Sequence, residues 1–154
     1  MEINWNAISA LSALISAGAV IFAMLQLKAT KNIAQLQFED ALEKEYRDLV
    51  LRIPTKALLD SDLNEEEYAA AFDEFFRYFD LSNRQIELRK EDRIGFPTWD
   101  NWRLGIKFNM SQPAFKKAWD EVKIRTEDHA KEFFSELRVL EESGYLHDPE
   151  KSKA

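Results

Sequence analysis

The chain has 154 residues, with 28 acidic against 21 basic side chains, a net charge of −7 and no cysteine. Missing cysteine excludes disulfides, thiolate metal sites and cysteine nucleophiles, and the acidic balance lacks the basic footprint of a general nucleic-acid binder. This length points to one domain with a real core, and only four Gly and four Pro leave little room for linkers.

The first element is set by charge. Residues 3–27 carry no charged side chain. As a helix they span roughly 37 Å, against about 30 Å for a hydrocarbon core. In lipid the backbone must satisfy itself, which requires a helix. Trp5 stands where an interfacial aromatic would, Lys28 and Lys31 follow the window, and only Glu2 precedes it. The positive-inside bias then puts the following domain in the cytoplasm. Three rival readings are weaker. The small-x-small triplet Ala17-Gly18-Ala19 suits a signal-peptide cleavage site, but an acidic leader and a further apolar run do not. A buried core helix is the bland alternative, given the Ala and Ser content. An interfacial helix lying flat would need a charged face.

Small residues recur at intervals of four, at Ser9, Ala13 and Ala17 and again at Ser12 and Ser16. Such spacing lets membrane helices approach closely, which predicts contact with a second copy or another membrane protein through these five positions. It is equally the ordinary composition of membrane helices.

No proline or glycine falls between Ala19 and Ile53, so the first helix is expected to run on past the membrane. Ile33, Leu36, Leu42, Tyr46, Leu49 and Ile53 form a partial apolar stripe, and Pro54 ends the helix. Asn64 followed by three glutamates predicts the next N-terminus. Tyr68, Phe72, Phe75, Phe76 and Phe79 give that helix an aromatic face of the kind that forms a core. Residues 93–97 read as a turn, with Thr98 capping a helix that bears Trp99, Trp102 and Ile106. After a turn at 109–113, Pro113 opens a helix carrying Phe115, Trp119 and Val122. A last helix is expected from near Thr126, with Phe133, Leu137 and Leu140 inward and Gly144 as its C-cap. Residues 147–154 read as a frayed tail. The fold class is therefore all-α. A transmembrane anchor over 1–28 continues as a long helix into a compact antiparallel bundle over 29–146.

The segments FFRYFDLSNRQIELRKEDRI, TWDNW, PAFKKAW and FFSELRVLE resemble small uncharacterised bacterial membrane proteins. In these, one N-terminal transmembrane helix precedes a helical cytoplasmic domain. The resemblance implies a single-pass protein of the bacterial inner membrane and carries no catalytic residues with it.

Little reactive chemistry is legible. His129 with Glu132 or Glu136 falls short of a zinc or di-iron ligand set. No Gly-rich phosphate loop or Ser-His-Asp spacing stands out. We therefore expect no cofactor, no metal, no small-molecule substrate and no enzymatic activity. A polar cluster over residues 78–103 is the remaining feature. It reads either as a docking surface built on Arg89, Arg93, Trp99 and Trp102 or as an internal network fixing a turn. Two functions follow from different classes. One is a membrane-tethered interaction or scaffold module, with the bilayer and itself or another membrane protein as partners. The other is a membrane-active effector whose first helix oligomerises to perturb the bilayer.

Overall fold

A computed structural model describes the backbone of residues 5–127 and 131–150, and the side chains of residues 15–127 and 132–150. Among the described residues every regular element is helical: α1 (Trp5–Val50), α2 (Thr55–Leu58), α3 (Glu65–Lys90), α4 (Phe96–Ser111), α5 (Pro113–Arg125), a 3-10 turn (Lys131–Phe134) and α6 (Ser135–Glu142). The chain falls into two units, Met1–Leu36 and Gln37–Ala154. Helix α1 begins in the first and ends in the second, unbroken where the sequence lacks Pro and Gly.

In the first unit the described apolar side chains are exposed. Ile15, Val20, Ile21, Phe22, Met24, Leu25 and Leu27 all stand more than half open. At 3.6 residues per turn these seven cover about two-thirds of the helix circumference, and the remaining sector carries Ser16, Ala19, Ala23 and Gln26, small or uncharged side chains. Among the described residues no helix is long and apolar enough to cross a membrane. The charge-free window runs past the edge of that set. Side chains before Ile15 lie outside it, and residues 15–27 alone would cover roughly 20 Å, short of a bilayer core.

The second unit holds the core. The expected stripe on α1 is core only in its later part: Leu42, Leu49 and Ile53 are buried and Tyr46 packs beside them, whereas Ile33 and Leu36 are exposed. Pro54 acts as foreseen. The helix tightens after Val50 into short-range bonds, Arg52 N–H to Leu49 O at 3.0 Å among them, because the residue before a proline avoids the helical region. Pro54 then starts the one-turn α2, which the sequence did not announce and which buries Ala57.

Helix α3 starts as its sequence requires. Asn64 Oδ1 accepts from Glu67 N–H at 2.8 Å, and Glu67 Oε2 accepts from Asn64 N–H at 3.1 Å. This reciprocal capping box satisfies two amide donors that the helix leaves orphaned. Asn64→Ala is expected to cost about 1 kcal/mol, read as a lowered urea midpoint with unchanged slope. Helix α3 packs against α4, α5 and α6 and supplies the centre of the core. Its aromatic face meets α5 through edge-on pairs, Phe75–Phe115 at 4.8 Å and Tyr78–Phe115 at 5.0 Å between centroids. Trp119 sits against Phe79 at 5.0 Å and Phe134 at 5.6 Å. Each such pair adds about 0.5–1.5 kcal/mol beyond its buried area.

Four expectations need correction. Thr98 does not cap α4: the helix begins three residues earlier, with Gly95 as N-cap and no cap from its own side chains. Glu39 of α1 takes that role from across the fold, accepting from Gly95 N–H and from the Thr98 hydroxyl, both at 2.7 Å. Thr126 closes α5 rather than opening α6, because its hydroxyl donates back to Val122 O at 2.8 Å. The chain enters α6 through the 3-10 turn, whose three-residue period shifts the phase of the face. Phe134 is therefore buried where Phe133 was expected, and Phe133 is exposed. Finally, the tail is not frayed over its first residues: Pro149 is buried and Asp148 is held by Arg89. Residues 151–154 lie outside the described set.

The end of α6 matches its sequence. Gly144 adopts φ +67°, its N–H donates to Glu141 O, and Tyr145 N–H donates to Leu140 O, both at 2.9 Å. That pair of bonds is the Schellman closure, for which glycine is the residue without strain. The end of α3 uses the same closure with Asp92 at φ +60°, a conformation that Asp tolerates better than most residues.

Candidate functional site

The polar groups over residues 78–103 separate into two places. The first is centred on Arg89, near the C-terminal end of α3. Its side chain is 5% exposed and faces Asp148, itself 10% exposed. Arg89 Nε donates to Asp148 Oδ1 at 3.0 Å and Nη2 to Oδ2 at 3.1 Å, a two-pronged fork of the kind guanidinium is shaped for. Nη1 donates to Ile94 O at 2.8 Å, fixing the turn after α3. Glu150 pairs with the same guanidinium, and the Phe96 ring lies 5.8 Å from it. Close by in sequence, Arg103 donates to Tyr145 O and to Asp100 Oδ1 at 2.5 Å. Two arginines thus hold residues 145–150 down on the bundle.

The second place lies among α1, α3 and α4. Asn109 Nδ2 donates to the hydroxyls of Tyr78 at 3.1 Å and Tyr46 at 3.3 Å. A hollow of about 120 Å³ opens there, lined by Tyr46, Tyr78, Gln85, Asn101, Trp102, Gly105 and Ile106. Small-molecule sites run to about 300–1,000 Å³, so this one is too small for a substrate of that class. Two roomier hollows, of about 380 and 450 Å³, are open grooves lined largely by charged side chains such as Lys44, Asp48, Arg52, Arg84 and Glu87. None sets a nucleophile against a base, and such grooves are ordinary solvated surface.

Three tyrosines respond to burial. Desolvation raises the Tyr145 phenol to about 12, with the Glu141 carboxylate adding to it. Desolvation also raises Tyr78, and Tyr68 is raised by desolvation and then by its hydrogen bond to Glu121. A group whose folded pKa is raised lends stability that is whole below the unfolded value, near 10 for tyrosine. That stability is lost as pH climbs through the folded value. The urea midpoint is therefore expected to fall between pH 9 and pH 12. Tyr78→Phe should flatten that slope, as followed by tryptophan fluorescence.

Arg89 and Trp99 are buried, so those two are not available at a docking surface in this conformation. Arg93 is about half exposed, pairs with Glu91 at 3.1 Å and lies 5.3 Å from the Phe38 ring. Trp102 is partly buried at the hollow beside Tyr46. On α1, Ser16 and Ala17 are exposed, while the side chains of Ser9, Ser12 and Ala13 lie outside the described residues. His129 lies outside them too. No cluster of three metal-type ligands occurs among the described residues.

Several contributors had no signal in the sequence. Asn83 Oδ1 accepts from Leu137 N–H at 3.1 Å, capping α6, which has no side-chain cap of its own. Glu39, Asn109 and Asp148 likewise act on partners far along the chain. An Asp or Asn capping its own helix is found by spacing, but a cap delivered from another helix is not.

Comparison with protein-family models, with curated proteins and with solved structures finds no match to this chain.

Proposed function

We propose that the chain is a membrane-tethered, non-enzymatic interaction module, anchored by α1 with the helical bundle on the cytoplasmic side. The observation that carries this is the charge-free window of residues 3–27, together with large described apolar side chains exposed over about two-thirds of the helix circumference. A helix with exposed apolar side chains over most of its surface and no charged face needs an apolar environment around it. Exposed patches of that kind mark membrane or partner surfaces. Lys28 and Lys31 support the orientation. The small-residue positions Ser9, Ser12, Ala13, Ser16 and Ala17 support contact with a second copy or another membrane protein. Tethering then acts by raising local concentration, so that weak contacts of the bundle become effective.

The absence of native cysteine makes the test clean. Single replacements from Ser9→Cys through Ala17→Cys are introduced into the full-length chain in membranes and oxidised. Crosslinking is expected at 9, 13 and 17 and weak at 11 and 15. Equal or absent crosslinking at all positions would count against self-association through this face. The effector reading rests on the stripe of Ser9, Ser12 and Ser16. It predicts dye leakage from vesicles that is lost in the Ser12→Leu, Ser16→Leu double variant; intact vesicles favour the tethered module.

A further inference from the structure

Residues 145–150 form a strap that the bundle holds by charge as well as by apolar contact: Tyr145 packs beside the core and Pro149 is buried. Arg89 forks onto Asp148, pairs with Glu150, and Arg103 takes the Tyr145 carbonyl. The arginine is almost wholly buried, and its geometry is complete only when a carboxylate occupies the fork. The connector behind the strap is strained. Gly144 at φ +67° is followed directly by Tyr145 at φ +63°, and a bulky aromatic rarely adopts that conformation. Strained short connectors favour the exchange of identical elements between copies, because straightening the connector releases the strain while every other contact is re-formed.

We infer that the Arg89 socket is an exchange site, in which Asp148 and Glu150 of a second copy of this chain replace the chain's own. A second copy is the fitting occupant because its strap presents the same carboxylates at the same spacing, and both halves of the lock lie on one chain. Exchange is reciprocal, so two copies close as a symmetric pair. Leu146 lies on the strap between connector and clamp and is three-quarters exposed, which leaves an apolar side chain ready where two connectors would meet. The inference draws on the tethering reading only for local concentration, since socket and strap both lie in the second unit.

The test uses two full-length variants in mild detergent, carrying different tags. Arg89→Gln keeps its strap and loses the socket; the double variant Asp148→Asn, Glu150→Gln keeps the socket and loses the strap. The mixed pair is expected to copurify on the order of tenfold more than either variant with itself, the effect of one charge-assisted fork. Association through α1 is common to all pairs and cancels in that ratio. Mixed pairing no greater than self-pairing overturns the exchange, whereas mixed pairing that persists with no self-pairing of either variant counts against the membrane-helix contact alone. Tyr145→Gly relieves the backbone strain, whereas Tyr145→Ala loses the same ring, which packs beside the core, and keeps the strain, so the Gly variant should show a dimer fraction several-fold below that of the Ala variant. Equal fractions in the two variants overturn the role of the connector. Binding of a free Asp-Pro-Glu peptide to the strap-deficient variant, without mixed pairing, overturns the second copy as occupant.

Discussion

Replacing Arg89 with alanine is expected to destabilise the bundle by about 3–5 kcal/mol, because it strands a buried charge. The Asp148 carboxylate is 10% exposed and would lose both prongs of its partner. Ile94 O would lose its donor as well, and an unsatisfied buried group costs more than the bond it made. Asp148→Ala acts from the other side and leaves the guanidinium with only Glu150 as a carboxylate partner, one that is 40% exposed. Changing both residues together to apolar ones, Arg89→Met with Asp148→Leu, should cost less than either single alanine, since no charge is left buried. Arg89→Lys should recover only part of the loss, because an ammonium cannot make the fork. Urea unfolding of the four variants at pH 7 reads all of these. Additive single and double effects would mean that the pair is not coupled and that the strap is held by something else.

Trp119→Ala is the second large effect, expected at about 3–5 kcal/mol. The indole is 1% exposed, lies against Phe79 and Phe134, and donates from Nε1 to Glu141 Oε2 at 2.8 Å. Its removal empties the space between α3, α5 and the 3-10 turn and strands the Glu141 contact. Phe134→Ala belongs to the same cluster and should cost a similar amount. Phe133→Ala, one residue away and 66% exposed, should stay within about 0.5 kcal/mol. The contrast between neighbouring phenylalanines checks the phase of the chain entering α6. Equal effects at 133 and 134 would mean that the turn does not place them as described.

What the sequence revealed and what it withheld divide along the range of the interactions. The capping box at Asn64 and Glu67 spans three residues, Pro54 acts on its neighbour, and Gly144 closes its own helix. All three were legible because their causes are local. The aromatic face of α3 was legible because burial follows period. The start of α4 was misplaced because Glu39, 56 residues away from Gly95, supplies the cap that Thr98 was expected to give. The strap was read as frayed because Asp148 and Glu150 are polar in isolation, and only folding brings Arg89, 59 residues distant from Asp148, to meet them. That same pairing explains why Arg89 looked like a docking residue: an arginine among aromatics has one composition whether it waits for a partner or already holds its own chain. For α1 the difficulty is different. Its apolar surround is a matter of environment, and neither periodicity nor packing within one chain supplies it.

Vesicle flotation decides whether this first helix inserts in a bilayer, as we propose. The full-length chain is mixed with lipid vesicles in detergent, the detergent is removed, and the sample is treated with alkaline carbonate before a density gradient. The account predicts that the chain floats with the lipid after carbonate. It also predicts that Ala17→Arg combined with Val20→Arg, each charge costing about 2.5–3.5 kcal/mol at a helix centre, sends it to the bottom fraction. Recovery of the unaltered chain as a soluble species, without detergent and away from the lipid, would contradict it.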